Sequence, residues 1–373
     1  MPPDAVSYRA PADADRFAGI DRPTLVVDRA RAERNIARMA AKAEASGVRF
    51  RPHFKTHNSV EVGEWFRAAG ATAITASSVE HAVTFAGAGW DDITIAFPLV
   101  TRALPTIGDL AARVRLGLLV EGPEGAAALA SVASTVDVWV DVDAGYGRSG
   151  ARWDDADRLA EIGAALARSP QHRLRGVLTH AGHTYHAPDH ATIEAIWTDT
   201  AVRLAAARDL LAAATRATGL EISVGDTPGC AVVNRFDGVD EVRPGNFVFF
   251  DLQQLALGVC TEGDLALAVA CPIVGVYPAR GEAVIHGGSV QLSLDTAPGP
   301  GDRRNFGRLA LVEPGGWRPL PAEAAHVRGL SQEHGVLRCS PEVLAQIRVG
   351  DLAFIIPPHA CLPANQISHW LVV

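Results

Sequence analysis

The sequence predicts an α/β chain built as a (β/α)₈ TIM-type barrel over residues 26–245, with a C-terminal mostly-β domain over 246–373 that residues 1–25 join. Three observations carry this. Eight short apolar segments are separated by alanine-rich helical stretches, the alternation that parallel strand–helix units require. No Gly-x-Gly-x-x-Gly follows the first of them, so an open dinucleotide-binding sheet has no fingerprint. Beyond Asn246 the helical stretches give way to strands joined by Gly/Pro-rich turns.

The elements follow in order. Pro23-Thr-Leu-Val-Val-Asp28 reads as a strand outside the barrel count, and a helix follows over about 29–45. Barrel strands are expected near 48–52, 72–76, 93–97, 116–120, 136–142, 175–179, 221–224 and 241–243. Helices are expected near 60–69, 79–88, 123–134, 154–167 and 190–218. The β-domain strands fall near 265–276, 282–286, 308–312, 334–337, 351–356 and 368–373.

Composition narrows the function. A net charge of −8 leaves no basic stripe for a nucleic acid and fits a protein handling small molecules. Five scattered cysteines with no Cys-x-x-Cys pair argue against a disulfide framework and for a reducing, cytoplasmic setting. Residues 1–18 read as neither signal nor transit peptide. No apolar run reaches membrane-spanning length. Of the 34 basic residues only Lys42 and Lys55 are lysines, so a lysine here needs a reason; Lys42 lies on an amphipathic helix that supplies none.

Active residues of such barrels gather after the C-terminal ends of the strands. Those positions hold Lys55, Arg148, His180, Tyr185, Thr227 and Gly245. Lys55 leaves the first strand between His53 and His57; burial there would leave a neutral amine able to attack an aldehyde. A surface lysine between two structural histidines is the plain alternative, and the scarcity of lysine favours function. Arg148 follows a glycine-rich turn, Asp141-Val-Asp-Ala-Gly-Tyr-Gly-Arg148, and its fork suits a phenolate or carboxylate. Taken alone it reads equally as a solvated loop arginine. His180, in Thr179-His-Ala-Gly-His-Thr-Tyr185, is open between stacking, donating and metal binding. Gly225-Asp-Thr227 and Arg243-Pro-Gly-Asn246 follow strands seven and eight, the usual phosphate site, where glycine turns make anion cradles. Ordinary turn chemistry explains either loop taken singly. Pro357-Pro-His-Ala-Cys361 places His359 and Cys361 two apart; in an extended chain both would face one zinc. A buried structural cysteine beside a capping histidine is the competing reading.

Together these stretches resemble the D-serine dehydratase and D-threonine aldolase family, relatives of bacterial alanine racemase. The likeness is carried by Pro23-Thr-Leu-Val-Val-Asp28, Arg51-Pro-His-Phe-Lys-Thr-His57, Asp141-Val-Asp-Ala-Gly145, Arg243-Pro-Gly245 and the terminal His-x-Cys. It implies that Lys55 carries pyridoxal phosphate as a Schiff base and acts as the catalytic base. It further implies that Arg148 lies near the cofactor's phenolic oxygen, with His180 and Tyr185 as its neighbours, and that Arg243 faces the pyridine nitrogen. Thr227, Gly245 and Asn246 would hold the phosphate. His359 and Cys361 would bind a divalent metal, with zinc favoured by the thiolate; the aldolases of the family tend to show His and Asp there, so Cys361 points to the dehydratase side. The implied activity is a lyase converting D-serine- or D-threonine-type substrates to a 2-oxo acid and ammonia, in a homodimer. Retro-aldol cleavage of a D-threonine or 3-hydroxyaspartate type is the first alternative, and a non-catalytic pyridoxal-phosphate carrier the second. Racemization finds no stretch supplying a second base among Tyr8, Tyr146, Tyr185 and Tyr277.

Overall fold

The computed structural model describes residues 14–301, 303–313 and 316–373. The expectation that residues 1–25 join the β-domain therefore lies outside the described residues for 1–13, as does Tyr8. The chain divides into two compact units: residues up to Asn35 together with Val248–Val373, and Ile36–Phe247. Thr24–Val27 and the start of the helix Arg29–Ser46 thus group with the β-unit, and the barrel unit begins ten residues later than position 26.

In the barrel unit eight parallel strands follow one another in the order Arg49–Phe50, Ile74–Ala76, Asp92–Pro98, Arg115–Val120, Asp137–Asp143, Arg173–Thr179, Glu221–Val224 and Glu241–Val242. The last pairs with the first, and a bridge between His53 and Thr75 closes the ring. The strands read as near-continuous apolar runs because both faces are covered, as parallel sheets require. Leu119, Trp139 and Leu178 from neighbouring strands pack together fully buried. Two helices were not expected: the six-residue Thr227–Val232, and Leu104–Ala111, whose Pro105 and Gly108 look like breakers in sequence. Pro105 falls in the first turn, where its missing N–H costs nothing.

Seven of the eight strands begin with a charged residue, and these side chains are paired into a ring of ion pairs. Arg51 reaches Asp92 at 2.6 Å and Glu241 at 2.8 Å; Arg115 joins Asp92 to Asp137; Arg173 meets Asp137 at 2.9 Å; Arg175 meets Glu221 at 2.6 Å. Arg49 returns the ring from Glu221 to Glu241. Glu241 is wholly buried; burial opposes its charge, but Arg51, Arg49 and the Ser223 hydroxyl at 2.7 Å hold its carboxyl down at about 2.

The β-unit is a closed antiparallel barrel of six strands. Leu267–Tyr277 pairs with both Glu282–His286 and Leu352–Ile356, and the circuit runs on through Arg308–Glu313, Ala325–Leu330 and His334–Cys339. Thr24–Val27 pairs antiparallel with Leu267–Ala270 and parallel with the C-terminal strand Trp370–Val372. Two strands were not expected, Gly316–Pro319 and Ala325–Leu330. The first is short and bounded by turn residues; the second carries a register shift between Val327 and Gly329 that breaks its alternation.

Glu241→Ala would leave Arg49 and Arg51 with their buried carboxylate removed. The expected loss of unfolding free energy in urea is about 3–5 kcal/mol at pH 7. Because the folded carboxyl sits below its unfolded value of 4.5, the contribution is complete above that value and fades toward pH 2. The gap between wild type and variant should therefore shrink at pH 3.

Candidate active site

Lys55 sits in a single 3₁₀ turn, Phe54–Thr56, at the C-terminal end of the first barrel strand. Phe54 anchors that turn: it is fully buried, with its ring 4.9 Å from Phe85, 5.1 Å from Phe66 and 5.2 Å from Trp90. Lys55 beside it remains half-buried. The His53 Nδ1 accepts the Lys55 backbone N–H at 3.4 Å and caps the turn. Burial, then the neighbouring Lys55 and Arg243 cations, hold His53 well below its ordinary value. It is a neutral neighbour that does not compete for charge. His57 is structural: its Nδ1 accepts from Ser59 N at 3.1 Å, its ring stacks on Phe66, and burial lowers it to about 3. Gly245 brings the loop after strand eight against this turn. A Cβ there would lie 2.9 Å from the His53 carbonyl oxygen, so only glycine allows the approach.

His180 follows the sixth strand. Its Nδ1 is hydrogen-bonded to the Gly225 carbonyl, which can only accept, so Nδ1 carries the proton and Nε2 the lone pair. Burial, followed by Lys55 and Arg148, lowers it to about 3. Arg148 is exposed, with its guanidinium 5.5 Å from the centre of the Tyr146 ring. Its loop is set by Asp143, whose Oδ1 accepts from Gly145 N at 2.9 Å and Gly147 N at 3.0 Å. Tyr146 also meets His180 edge-on at 5.9 Å, and Gly182 leaves space for its ring. A small cleft, with room for about one water, lies among Asp141, Tyr146, Arg148, Thr179 and His180. Tyr146 was missed in the sequence, where a tyrosine between two glycines gives no sign of packing across to another loop.

Arg243 is buried and spans three strands. Its Nε donates to Ser223 Oγ at 2.7 Å and an Nη to the Thr179 carbonyl at 2.5 Å. Burial lowers it to about 10 against the support of Glu241 and Asp141, which leaves it charged at neutral pH. Thr227 opens the helix Thr227–Val232; its N–H donates to the Tyr185 hydroxyl at 3.3 Å. Its own hydroxyl oxygen is buried with no hydrogen-bond partner in the protein. Such an orphan invites a ligand oxygen. Asn246 is buried at the start of the turn Asn246–Val248. The barrel unit therefore gathers Lys55, His180, Arg148 and Arg243 within electrostatic reach of one another, with Thr227 and Tyr185 on the adjoining loop. The donor set suits an aldehyde bearing a phosphate.

His359 and Cys361 lie in the β-unit. The chain is not extended between them, as the sequence reading supposed: Ala360 has helical dihedrals and caps the helix Cys361–Gln366. The turn itself brings the two side chains into hydrogen bond. Pro363 falls in the first helical turn, where proline is tolerated. Asp251, wholly buried, faces His359 Nδ1 at 3.5 Å and accepts the Ala360 N–H at 2.9 Å. Burial disfavours a charged His359, yet Cys361, Asp251 and Asp295 push it up to about 10. An imidazole nitrogen beside a thiol, with a carboxylate behind the ring, fits a soft divalent metal that would take the proton's place. Among the described residues no third ligating side chain joins them.

Residues 27–253 match the alanine racemase N-terminal domain, and 266–373 match a serine dehydratase domain. The chain belongs to this alanine-racemase-like family. Its relatives include a D-threo-3-hydroxyaspartate dehydratase of Delftia sp., 36% identical over 94% of both chains. The solved structure of that enzyme superposes with a TM-score of 0.86 at 33% identity, covering 96% of each chain. It has also been solved with a histidine and, two positions on, a cysteine replaced by alanine, the latter in a metal-free form. A D-serine dehydratase of Dictyostelium discoideum is 25% identical, over 96% of this chain and 95% of its own. A D-threonine aldolase of an Arthrobacter species is 28% identical over 96% and 90%.

In sequence Asp251 offers only a cap for the helix Leu252–Ala256, where it accepts from Gln254 N at 3.0 Å; its other partner, Ala360, lies 109 residues away. Were a divalent metal held by His359 and Cys361, Asp251→Asn would weaken its binding about 10- to 100-fold, read by competition with a chromophoric chelator. Unchanged affinity would reduce Asp251 to a helix cap.

Proposed function

We propose that this chain is a pyridoxal-phosphate- and metal-dependent lyase that converts D-β-hydroxy amino acids to a 2-oxo acid and ammonia. The observation that carries it is the Lys55 turn. A half-buried amine stands at the barrel mouth beside neutral His53 and His180, with the orphan Thr227 hydroxyl in the loop after strand seven.

Lys55 would hold the cofactor through its amine, and Thr227, Gly245 and Asn246 its phosphate. Arg148, Tyr185, His180 and Arg243 would surround the ring. Bound there, pyridoxal phosphate supplies an electron sink for charge developing at the substrate α-carbon. With substrate bound, the Lys55 amine would take the α-proton. Burial and the nearby cations make His53 and His180 weak bases, which favours the lysine for that role. His180 instead spends its one N–H on Gly225 and holds the loops together. Two of the Arg243 nitrogens are engaged with Ser223 and Thr179, so its part is as much to fix these strands as to face a ring.

His359 and Cys361 would hold the metal, with zinc the fit for a thiolate, and the metal supplies Lewis acidity to a departing β-hydroxyl. The dehydratase reading is supported by Cys361, at the same His-x-Cys spacing as the relative whose cysteine variant is metal-free. A homodimer, on family likeness, completes the proposal. The five cysteines are buried and none is in a disulfide, which suits a reducing cytoplasm.

Three measurements test this. Incubation with D-serine, D-threonine and D-threo-3-hydroxyaspartate should release ammonia and the matching 2-oxo acid; glycine and an aldehyde would make the enzyme an aldolase. Lys55→Ala should abolish the visible absorbance of the lysine-bound cofactor, and an unchanged band would move the attachment elsewhere. Cys361→Ala should lose zinc and elimination while keeping that absorbance; elimination at wild-type rate without zinc would remove the metal from the scheme.

A further inference from the structure

Lys42, the second of the two lysines, has no part in the function proposed above. Its ammonium donates to the Cys230 carbonyl at 2.7 Å and the Ala231 carbonyl at 3.1 Å, 188 and 189 residues away in sequence. It also lies 5.2 Å from the centre of the Phe236 ring. Both carbonyls belong to the last turn of Thr227–Val232, the short helix whose first residue carries the orphan buried hydroxyl.

We infer that Lys42 is a positioning residue of the phosphate cradle, fixing from behind the segment that presents Thr227. The inference rests on the proposed cofactor site.

Six residues of helix do not hold their own shape in isolation. This segment is held at both ends. At the front the buried Asp226 accepts from Gly229 N at 2.5 Å and from Thr184 Oγ1 at 2.9 Å. At the back the only charged donor the described hydrogen bonds bring to its carbonyls is Lys42. With the two ends fixed, the Thr227 N–H meets the Tyr185 hydroxyl and the Thr227 side chain stays at one place along the segment's axis. The choice of residue fits the geometry. Two successive carbonyl oxygens meet one ammonium, whose three protons can serve both.

A clamp on the phosphate cradle has a signature that general stabilisation lacks: it acts on the phosphate and spares the rest of the cofactor. Cofactor-free protein is titrated with pyridoxal phosphate and, separately, with pyridoxal, which lacks the phosphate. Lys42→Met should raise the Kd for pyridoxal phosphate about tenfold, the scale of a lost charged hydrogen bond, and change that for pyridoxal less than twofold. Thr227→Val should give the same selective loss, and the double variant little more than either. Equal weakening toward both ligands, or none toward pyridoxal phosphate, would overturn the inference. Should Lys42→Met not fold by circular dichroism, Lys42→Gln is read in the same two titrations; a smaller but still phosphate-selective loss is expected, and an unselective one overturns it. Wild-type protein that fails to bind pyridoxal phosphate at all would instead sink the functional reading, and this inference with it.

Discussion

The buried guanidinium of Arg243 is the constraint on which the candidate site depends. It joins the backbone of strand six at Thr179 to Ser223 of strand seven, from a position just beyond strand eight. The loops that leave those three strands carry His180, Thr227 and Gly245. Each of these is then tied to a neighbour: His180 to Gly225, Thr227 to Tyr185, Gly245 against His53. Loops on a rigid barrel are where chemistry is usually placed. Here the rigidity is delivered to the loops by one charged side chain that has given up its solvent to reach three strands.

The two ends of the barrel treat charge differently. At the strand starts, acids and arginines alternate and neutralise one another in a ring of ion pairs. At the strand ends, Lys55, Arg148 and Arg243 stand beside imidazoles kept neutral by burial and by those same cations. Asp141, Asp143 and Asp226 stand at the same ends, so the mouth holds charges of both signs, with Lys55, Arg148 and Arg243 as its cations. The ion pairs at the strand starts tie neighbouring strands together, and the cations at the strand ends stand where a ligand can meet them.

Much of this was legible in the sequence, because the barrel strands are apolar runs and lysine is rare. Lys55 stood out for that reason, and the glycines of the loops marked close approaches. What was illegible was long-range or locally disguised. Nothing near Lys42 announces Cys230, and nothing near Asp251 announces Ala360. The helix Leu104–Ala111 hid behind Pro105 and Gly108, and Ala325–Leu330 behind a register shift. His359 and Cys361 were paired through the wrong local geometry: a turn into a helix, with Ala360 helical, brings together what an extended chain was expected to align.

The central claim is that one amine at the mouth of the barrel bonds the cofactor aldehyde. Two lysines make the most direct measurement unusually clean: reduce the cofactor-loaded protein with borohydride, digest it, and locate the phosphopyridoxyl mass. It should be found on the peptide containing Lys55. Its appearance on Lys42 or at the amino terminus, with Lys55 unmodified, would contradict the account.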